Sequence, residues 1–377
     1  MVGIIQRCIP STQKEIVVPT RWIKKDGFDV EEVDVREAVT YQDVLLVPQY
    51  SDIVSRSEVN TKSVLDSDLD ISLDLPVISS PMDTISEEEM ALAMSNNGGL
   101  SVIHRYNTIV EQAGIIKNAK AMGASVVAAA VGVTDDFMGR AIAAVDAGAS
   151  IICIDVAHGH HIMMKNALAT LKDVLPSHIH IMAGNVATRD GFDDLVKWGA
   201  DSIRCNIGGG SICTTRVQTG HGVPGLQTIF ECARSEHAGK VKIIADGGIR
   251  NAGDIVKALA AGADFVMVGS LLSGTDQAPG KLVKTPDGNF KQYRGMASRD
   301  AQMDWRGRSS SPEGVSSMVP WKGDVNKILS ELSGSIKSGL SYTGARNIQE
   351  LKNKAKFIKQ TNASQSESSA HILKRYK

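Results

Sequence analysis

The stretch Gly208-Gly209-Gly210-Ser211-Ile212-Cys213-Thr214-Thr215-Arg216 places a thiol and several hydroxyls directly after a run of glycines. Glycines let the backbone turn tightly and approach a ligand closely. Free backbone N–H groups and the Ser211 hydroxyl can then meet an anionic oxygen. A Cys213 thiolate with such donors beside it is a good nucleophile toward an electron-poor ring carbon. The plainer alternative is a structural turn around a buried thiol. The elements that carry the loop have to decide between the two.

From Leu75 onward one unit repeats: a short apolar run, a polar or glycine-containing end, then an amphipathic segment of helical length. The apolar runs cover 76–80, 100–104, 125–133, 150–155, 178–183, 201–206, 242–245 and 264–268. Helical patterns at 137–147, 163–175, 191–198 and 252–261 lie between them. Runs rich in Val and Ile without alternation suit strands buried on both faces of a parallel sheet. Eight such strands, each followed by a helix, predict an α/β fold, the (β/α)8 TIM barrel. An open doubly wound sheet is the rival, and the lack of GxGxxG after the first strand counts against it.

In a barrel the residues just past each strand gather at one mouth. Here they read Ser80-Pro81-Met82-Asp83, His104-Arg105-Tyr106, Asp155-Val156-Ala157-His158-Gly159, Gly184-Asn185, the Gly208 loop, Asp246-Gly247-Gly248 and Gly269-Ser270. Polar residues and glycine concentrate there. The last two loops stand where this fold cradles phosphate. An ionised Asp246 accepts hydrogen bonds only, which suits a pair of ribose hydroxyls. Asp155 with His158 and His160 lacks a third ligand at metal spacing, so a polar contact to a second ligand is the better reading of Asp155.

The barrel pattern breaks between Lys281 and Lys322. Thr285-Pro286-Asp287-Gly288-Asn289 reads as a hairpin turn. The polar stretch 297–312 then reads as a lid or a disordered segment. The predicted organisation is an extension over 1–38, a catalytic barrel over 39–360 with a mobile flap insertion at about 281–322 after strand eight, and a polar tail over 361–377.

Bulk properties exclude several classes. A net charge of −1 gives no general attraction for nucleic acid or an anionic membrane surface. No apolar run approaches the ~20 residues of a membrane span. The cysteines are odd in number and scattered, without CxxC spacing, which argues against a disulfide framework or zinc site. The expected location is cytoplasmic.

Five ordered motifs resemble the IMP dehydrogenase/GMP reductase family: Gln42-Asp43-Val44-Leu45-Leu46-Val47-Pro48, Ser79-Ser80-Pro81-Met82-Asp83-Thr84, Gly210-Ser211-Ile212-Cys213-Thr214-Thr215-Arg216, Ala245-Asp246-Gly247-Gly248-Ile249 and Tyr293-Arg294-Gly295-Met296. The resemblance runs from about Tyr41 to Ile372. It implies a purine 5′-monophosphate substrate attacked at C2 by Cys213, with a nicotinamide cofactor, NADPH or NAD, exchanging hydride at that carbon. Ser80, Met82, Ser211, Asp246, Gly248, Gly269, Ser270, Tyr293, Gly295 and Met296 match nucleotide-binding positions. Asp155, Asn185 and Arg105 fall on the cofactor side. Gly208, Gly210 and Cys213 match the loop whose carbonyls hold potassium (K+) in the dehydrogenases, helped by the next subunit's tail, and 367–371 looks like that tail. The resemblance also implies a homotetramer.

The two branches of the family differ in one requirement. The dehydrogenase hydrolyses its adduct with water activated by an Arg-Tyr pair on the flap. Here Arg306 and Arg308 are followed by Gly307 and Ser309, with no tyrosine. The reductase expels ammonia, which needs an acid and no activated water. Thr215 and Glu313 match its threonine–glutamate pair, although glutamate also occurs there in dehydrogenases. Ser55-Arg56-Ser57-Glu58-Val59, Asp155-Val156-Ala157 and the lack of a ~120-residue CBS insertion look reductase-like. Gly269-Ser270-Leu271-Leu272, Ala278-Pro279-Gly280 and the tail look dehydrogenase-like. Gln277 stands where both branches commonly have an acid, Gly225 replaces the Gln of a Pro-Gln, and Ser310 lies near the place of the reductase's flap arginine. The favoured expectation is GMP reductase. IMP dehydrogenase is the alternative, and a nucleotide-binding protein without turnover is the third.

Overall fold

The structure is a computed structural model and describes residues 36–368. Most of the expected N-terminal extension, the end of the tail and Cys8 lie outside the described residues. Eight parallel strands close into a barrel in chain order: β1 (Val77–Ser79), β2 (Leu100–Ile103), β3 (Ala128–Val131), β4 (Ile151–Asp155), β5 (His180–Val186), β6 (Ser202–Cys205), β7 (Lys242–Asp246) and β8 (Phe265–Val268). Each coincides with one of the apolar runs. The closing pair is β8 with β1, where Met267 sits opposite Ile78. The fold is therefore the predicted TIM barrel.

The strands are apolar throughout because both faces are covered. Ile78, Leu100, Val102, Ile151, Met182, Ile244 and Phe265 fill the barrel interior, all fully buried. Leu65, Ile71 and Leu73, from the antiparallel hairpin Ser63–Asp66 and Ile71–Leu73, join the same interior cluster and plug the N-terminal end. The outer faces pack against amphipathic helices such as Phe137–Asp146, Ile162–Val174, Arg189–Lys197 and Ala252–Ala261, close to the predicted spans. Local chemistry starts these helices: the Thr188 and Asn251 side chains accept backbone N–H groups of Gly191 and Asp254.

Two expectations need correction. Strand β5 continues to Val186, so Gly184 and Asn185 lie on it rather than beyond it; Asn185 is the extra residue of a bulge, with Gly184 opposite Arg204 and Val186 opposite Cys205 on β6. Of the two readings of 297–312, lid or disordered segment, the second is removed: the flap segment is folded. Strands β9 (Val283–Thr285), β10 (Gly288–Arg294) and β11 (Ser316–Pro320) form an antiparallel sheet with the predicted hairpin at Pro286-Asp287. The polar stretch holds a helix, Arg299–Arg306, capped by the Ser298 side chain and ended by Gly307 at φ 66°. The buried Lys291 ammonium anchors this sheet by donating to the carbonyls of Thr275 and Ala278. Gln277 is a structural anchor too. Its amide donates to Asp324 at 3.1 Å and accepts the Val325 N–H at 2.9 Å, at the start of the helix Val325–Tyr342. A carboxylate there would face Asp324 with like charge.

Candidate active site

A cavity of about 270 Å3 opens at the C-terminal mouth of the barrel. It is lined by Cys213, Thr215 and Glu313, by all ten expected nucleotide-binding residues, by Asp155, Asn185 and Arg105, and by Gly208 and Gly210. The mouth of the fold thus brings together residues spread over more than two hundred positions of sequence.

The thiol sits where backbone pairing puts it. The segment at Cys213 runs antiparallel to that at Gly314. The Thr214 N–H donates to the Glu313 carbonyl at 2.9 Å, and the Val315 N–H to the Ile212 carbonyl at 3.0 Å. This pairing lines up three side chains. Cys213 Sγ lies 3.2 Å from Thr215 Oγ1, whose hydroxyl donates to Glu313 Oε2 at 2.7 Å. The chain thiol–hydroxyl–carboxylate is continuous. Close approach here requires small residues: a Cβ on Gly295 or on Gly314 would stand 3.3–3.4 Å from the Ile212 carbonyl oxygen. Among the described cysteines Cys213 is half-buried, whereas Cys153, Cys205 and Cys232 are buried. Burial pushes the Cys153 thiol up to about 11, which keeps it protonated and inert.

In the same cavity, Ser80, Met82, Gly269 and Tyr293 form a cradle. A Cβ on Gly269 would stand 2.9 Å from the Tyr293 hydroxyl, 3.2 Å from Met82 Sδ and 3.6 Å from Ser80 Oγ. Only glycine leaves that space open. The Tyr293 hydroxyl also reaches Ser211 Oγ at 3.4 Å, and burial raises its pKa, so it is a neutral hydrogen-bonding group.

The floor carries a charge network that sequence reasoning missed. Arg204, in the middle of buried strand β6, donates to Asp155 Oδ1 at 2.6 Å and to Asp246 Oδ2 at 2.8 and 3.0 Å. Asn185 Nδ2 donates to the same Asp246 oxygen at 2.8 Å. Burial alone would raise the Asp155 carboxyl, but the Arg204 and Arg105 charges and their hydrogen bonds outweigh it and hold it below the usual range. Asp155 is therefore occupied by Arg204 and faces Arg105 at 3.7 Å. A signal was present: an arginine in a fully buried strand needs a partner. His160 pairs with Asp194 at 3.0 Å, away from Asp155.

Asn185 Oδ1 is buried without a hydrogen-bond partner among the protein's groups, and Arg105 Nε, also buried, has only its 3.7 Å ion pair with Asp155. Such orphaned polar atoms at a cavity wall fit a second ligand with its own donors and acceptors. The Gly208 loop offers main-chain carbonyls, of which that of Gly210 accepts the Cys213 N–H at 3.1 Å.

The family profile described as IMP dehydrogenase / GMP reductase domain matches residues 38–371. The chain belongs to the IMP dehydrogenase/GMP reductase family. Among its relatives, the inosine-5′-monophosphate dehydrogenase of Nitrosopumilus maritimus is 32% identical, over 90% of this chain and 99% of the relative. The GMP reductase of Leishmania major is 29% identical, over 89% and 97%. A crystal structure of a cysteine-to-alanine variant of GMP reductase from Trypanosoma brucei, in complex with guanosine 5′-monophosphate, superposes with a TM-score of 0.84 at 29% identity, covering 90% of this chain and 98% of that one. Membership makes the protein an oxidoreductase of purine nucleotides that works with a nicotinamide cofactor. The two relatives align over 476 and 480 positions, more than the 377 residues of this chain. Extra segments therefore occur under both names, and their lack here does not separate the branches. Among the described residues no helix is long and apolar enough to cross a membrane.

Proposed function

We propose that the protein is a GMP reductase: GMP and NADPH yield IMP, ammonia and NADP+. The observation that carries this reading is the flap, where no tyrosine follows Arg306 or Arg308; the unbroken Cys213–Thr215–Glu313 chain, which fits either branch, supplies the acid that the reductase needs. Cys213 adds through sulfur to C2 of guanine. Glu313, through the Thr215 hydroxyl, delivers the proton with which the 2-amino nitrogen leaves as ammonia. A bound nicotinamide cofactor would supply the hydride for C2, and Cys213 would then leave that carbon as the thiolate. Asn185 and Arg105 would hold the cofactor side, and Asp246 Oδ1 would accept the ribose hydroxyls while Oδ2 stays with Arg204. The Gly269–Tyr293 cradle would take the phosphate.

On the flap Arg306 and Arg308 are exposed, and with no tyrosine after either the water-activating pair of a dehydrogenase is missing. The rival reading is IMP oxidation by NAD to XMP. It is favoured by the 32% identity to a dehydrogenase against 29% to the reductases. One assay decides: purified protein with GMP or IMP and with the reduced or oxidised cofactors, followed by cofactor absorbance and product chromatography. GMP-dependent oxidation of NADPH with release of IMP is expected, and XMP formed from IMP and NAD overturns the proposal. Glu313→Gln should lower kcat with GMP by roughly 10²–10⁴-fold, the usual worth of a placed acid, with GMP binding by calorimetry retained.

A further inference from the structure

Asn206 is the first residue past strand β6, at the root of the Gly208 loop, and it carries two features that cost stability. Its φ is 151°, in a region that non-glycine residues rarely adopt. It is 3% exposed, yet its side-chain oxygen Oδ1 has no hydrogen-bond partner within the protein. Both features are costs, and they are kept at the root of the loop that bears the thiol.

Its neighbours show what the carboxamide does. Nδ2 donates to the Gly247 carbonyl at 3.3 Å, which ties the root of the cysteine loop to the loop after β7. A Cβ on Gly209 would fall 2.0 Å from Nδ2, so the amide presses directly under the loop backbone. On its other side a Cβ on Gly225 would lie 3.1 Å from Nδ2 and 3.3 Å from the Tyr41 ring. The loop in turn rests on its neighbour: a Cβ on Gly247 would stand 3.3 Å from the Gly210 nitrogen, and one on Gly248 3.3 Å from the Gly209 oxygen. Asn206 itself is held by its main chain, whose N–H donates to Val186 at 2.8 Å and whose carbonyl accepts Asn185 Nδ2 at 3.0 Å.

We propose that Asn206 is a positioning residue for the nucleophile: its carboxamide is a wedge between Gly209 and Gly225, tied to Gly247, that fixes the height of Cys213 over the barrel mouth. The missing side chain at 225 makes room for the wedge. Asn206 and Gly225 therefore form one coupled unit, and a longer side chain at 225 competes with the amide for the same space.

The test is a double-mutant cycle with Asn206→Gly, Gly225→Gln and the pair together, and it rests on the proposed function only for its choice of assay. Glycine accepts the backbone conformation at 206, so that variant loses the wedge without new strain. Each single change should lower kcat by about tenfold or more, as misplacement of a reacting group does, with KM for the nucleotide within about twofold. Each should also change the rate at which iodoacetamide alkylates Cys213. The double variant should recover most of the lost kcat, because the glutamine fills the vacated volume, giving a clear non-additivity. Should Gly225→Gln alone fail to fold, Gly225→Ala completes the same cycle, since its Cβ alone meets Nδ2 at 3.1 Å. Wild-type kcat and alkylation rate in Asn206→Gly, or strictly additive effects, would overturn the proposal. Alkylation needs no turnover, so its outcome stands whichever direction the reaction takes. A change in melting temperature alone, with alkylation unmoved, would mark a merely structural role and count against the inference.

Discussion

The same eight strands end in opposite ways at the two openings of the barrel. At the N-terminal base, the hairpin carrying Leu65, Ile71 and Leu73 seals the interior with apolar side chains. A polar exception there is the pair His180 and Ser202: His180 is fully buried between Asp66 Oδ2 and Ser202 Oγ at 2.8 Å each. At the C-terminal mouth the interior instead stops at charges, with Asp155, Arg204 and Asp246 joined under an open cavity. The base is satisfied within itself. The mouth keeps orphaned atoms at Asn185 and Asn206 and at Asp83, where Oδ1 is buried and unpartnered although Oδ2 accepts Arg294 at 2.6 Å. One end stabilises the fold, while the other holds polar groups ready for a ligand at a cost to stability.

That contrast can be broken by experiment. Cys213→Ala should abolish turnover, by at least about 10³-fold as loss of a covalent nucleophile does, and leave the melting temperature unchanged. A variant with activity intact would remove the mouth's claim to the chemistry. Arg204→Met is the change expected to hit both properties. It leaves the half-buried Asp155 with Arg105 alone and Asp246 with only the Asn185 amide, a loss of up to about 3–5 kcal/mol by denaturant titration, and under the proposed function it perturbs the carboxylate that would take the ribose as well.

Leu65→Ala is the converse test at the base. A buried leucine removed from a packed plug costs about 2–5 kcal/mol, read as a lower unfolding midpoint with kcat preserved. If kcat falls with it, the two ends are coupled and the division fails.

The smallest effect is a pH dependence located at the base. Burial lowers the His180 pKa from 6.5, although Asp66 pulls the other way. The unfolded chain therefore takes up this proton first as pH falls. Stability is full above about pH 6.5 and declines toward the lowered folded value. His180→Asn should flatten that decline in melting temperature between pH 7 and 5, while the activity profile keeps its shape.

Much of this architecture was readable along the chain. All eight strands and the helices at 137–147, 163–175, 191–198 and 252–261 were marked by runs of Val, Ile and Ala alternating with amphipathic stretches. Most of the residues expected at the mouth line one cavity, whereas others, among them Asp83, His104, His158 and Gly159, do not. The helix Arg299–Arg306 escaped because it is mostly polar, with Ala301 its one buried residue. Arg204 escaped because it sits inside an apolar run that reads as core. The departures at Gln277 and Gly225 had no reading until the structure showed Asp324 beside one and Asn206 beside the other.

The chain by itself determined the barrel and the thiol-bearing loop, because burial of strands and the conformational freedom of glycine are written in local, one-dimensional patterns. Only the tertiary structure decided that Glu313 meets Thr215 across 98 residues, that Arg204 joins two carboxylates, and that Asn206 occupies the space left by Gly225. Those pairings depend on strand register and on how loops settle against one another. Side chains far apart in sequence become partners only when the backbone has fixed both ends of the distance between them.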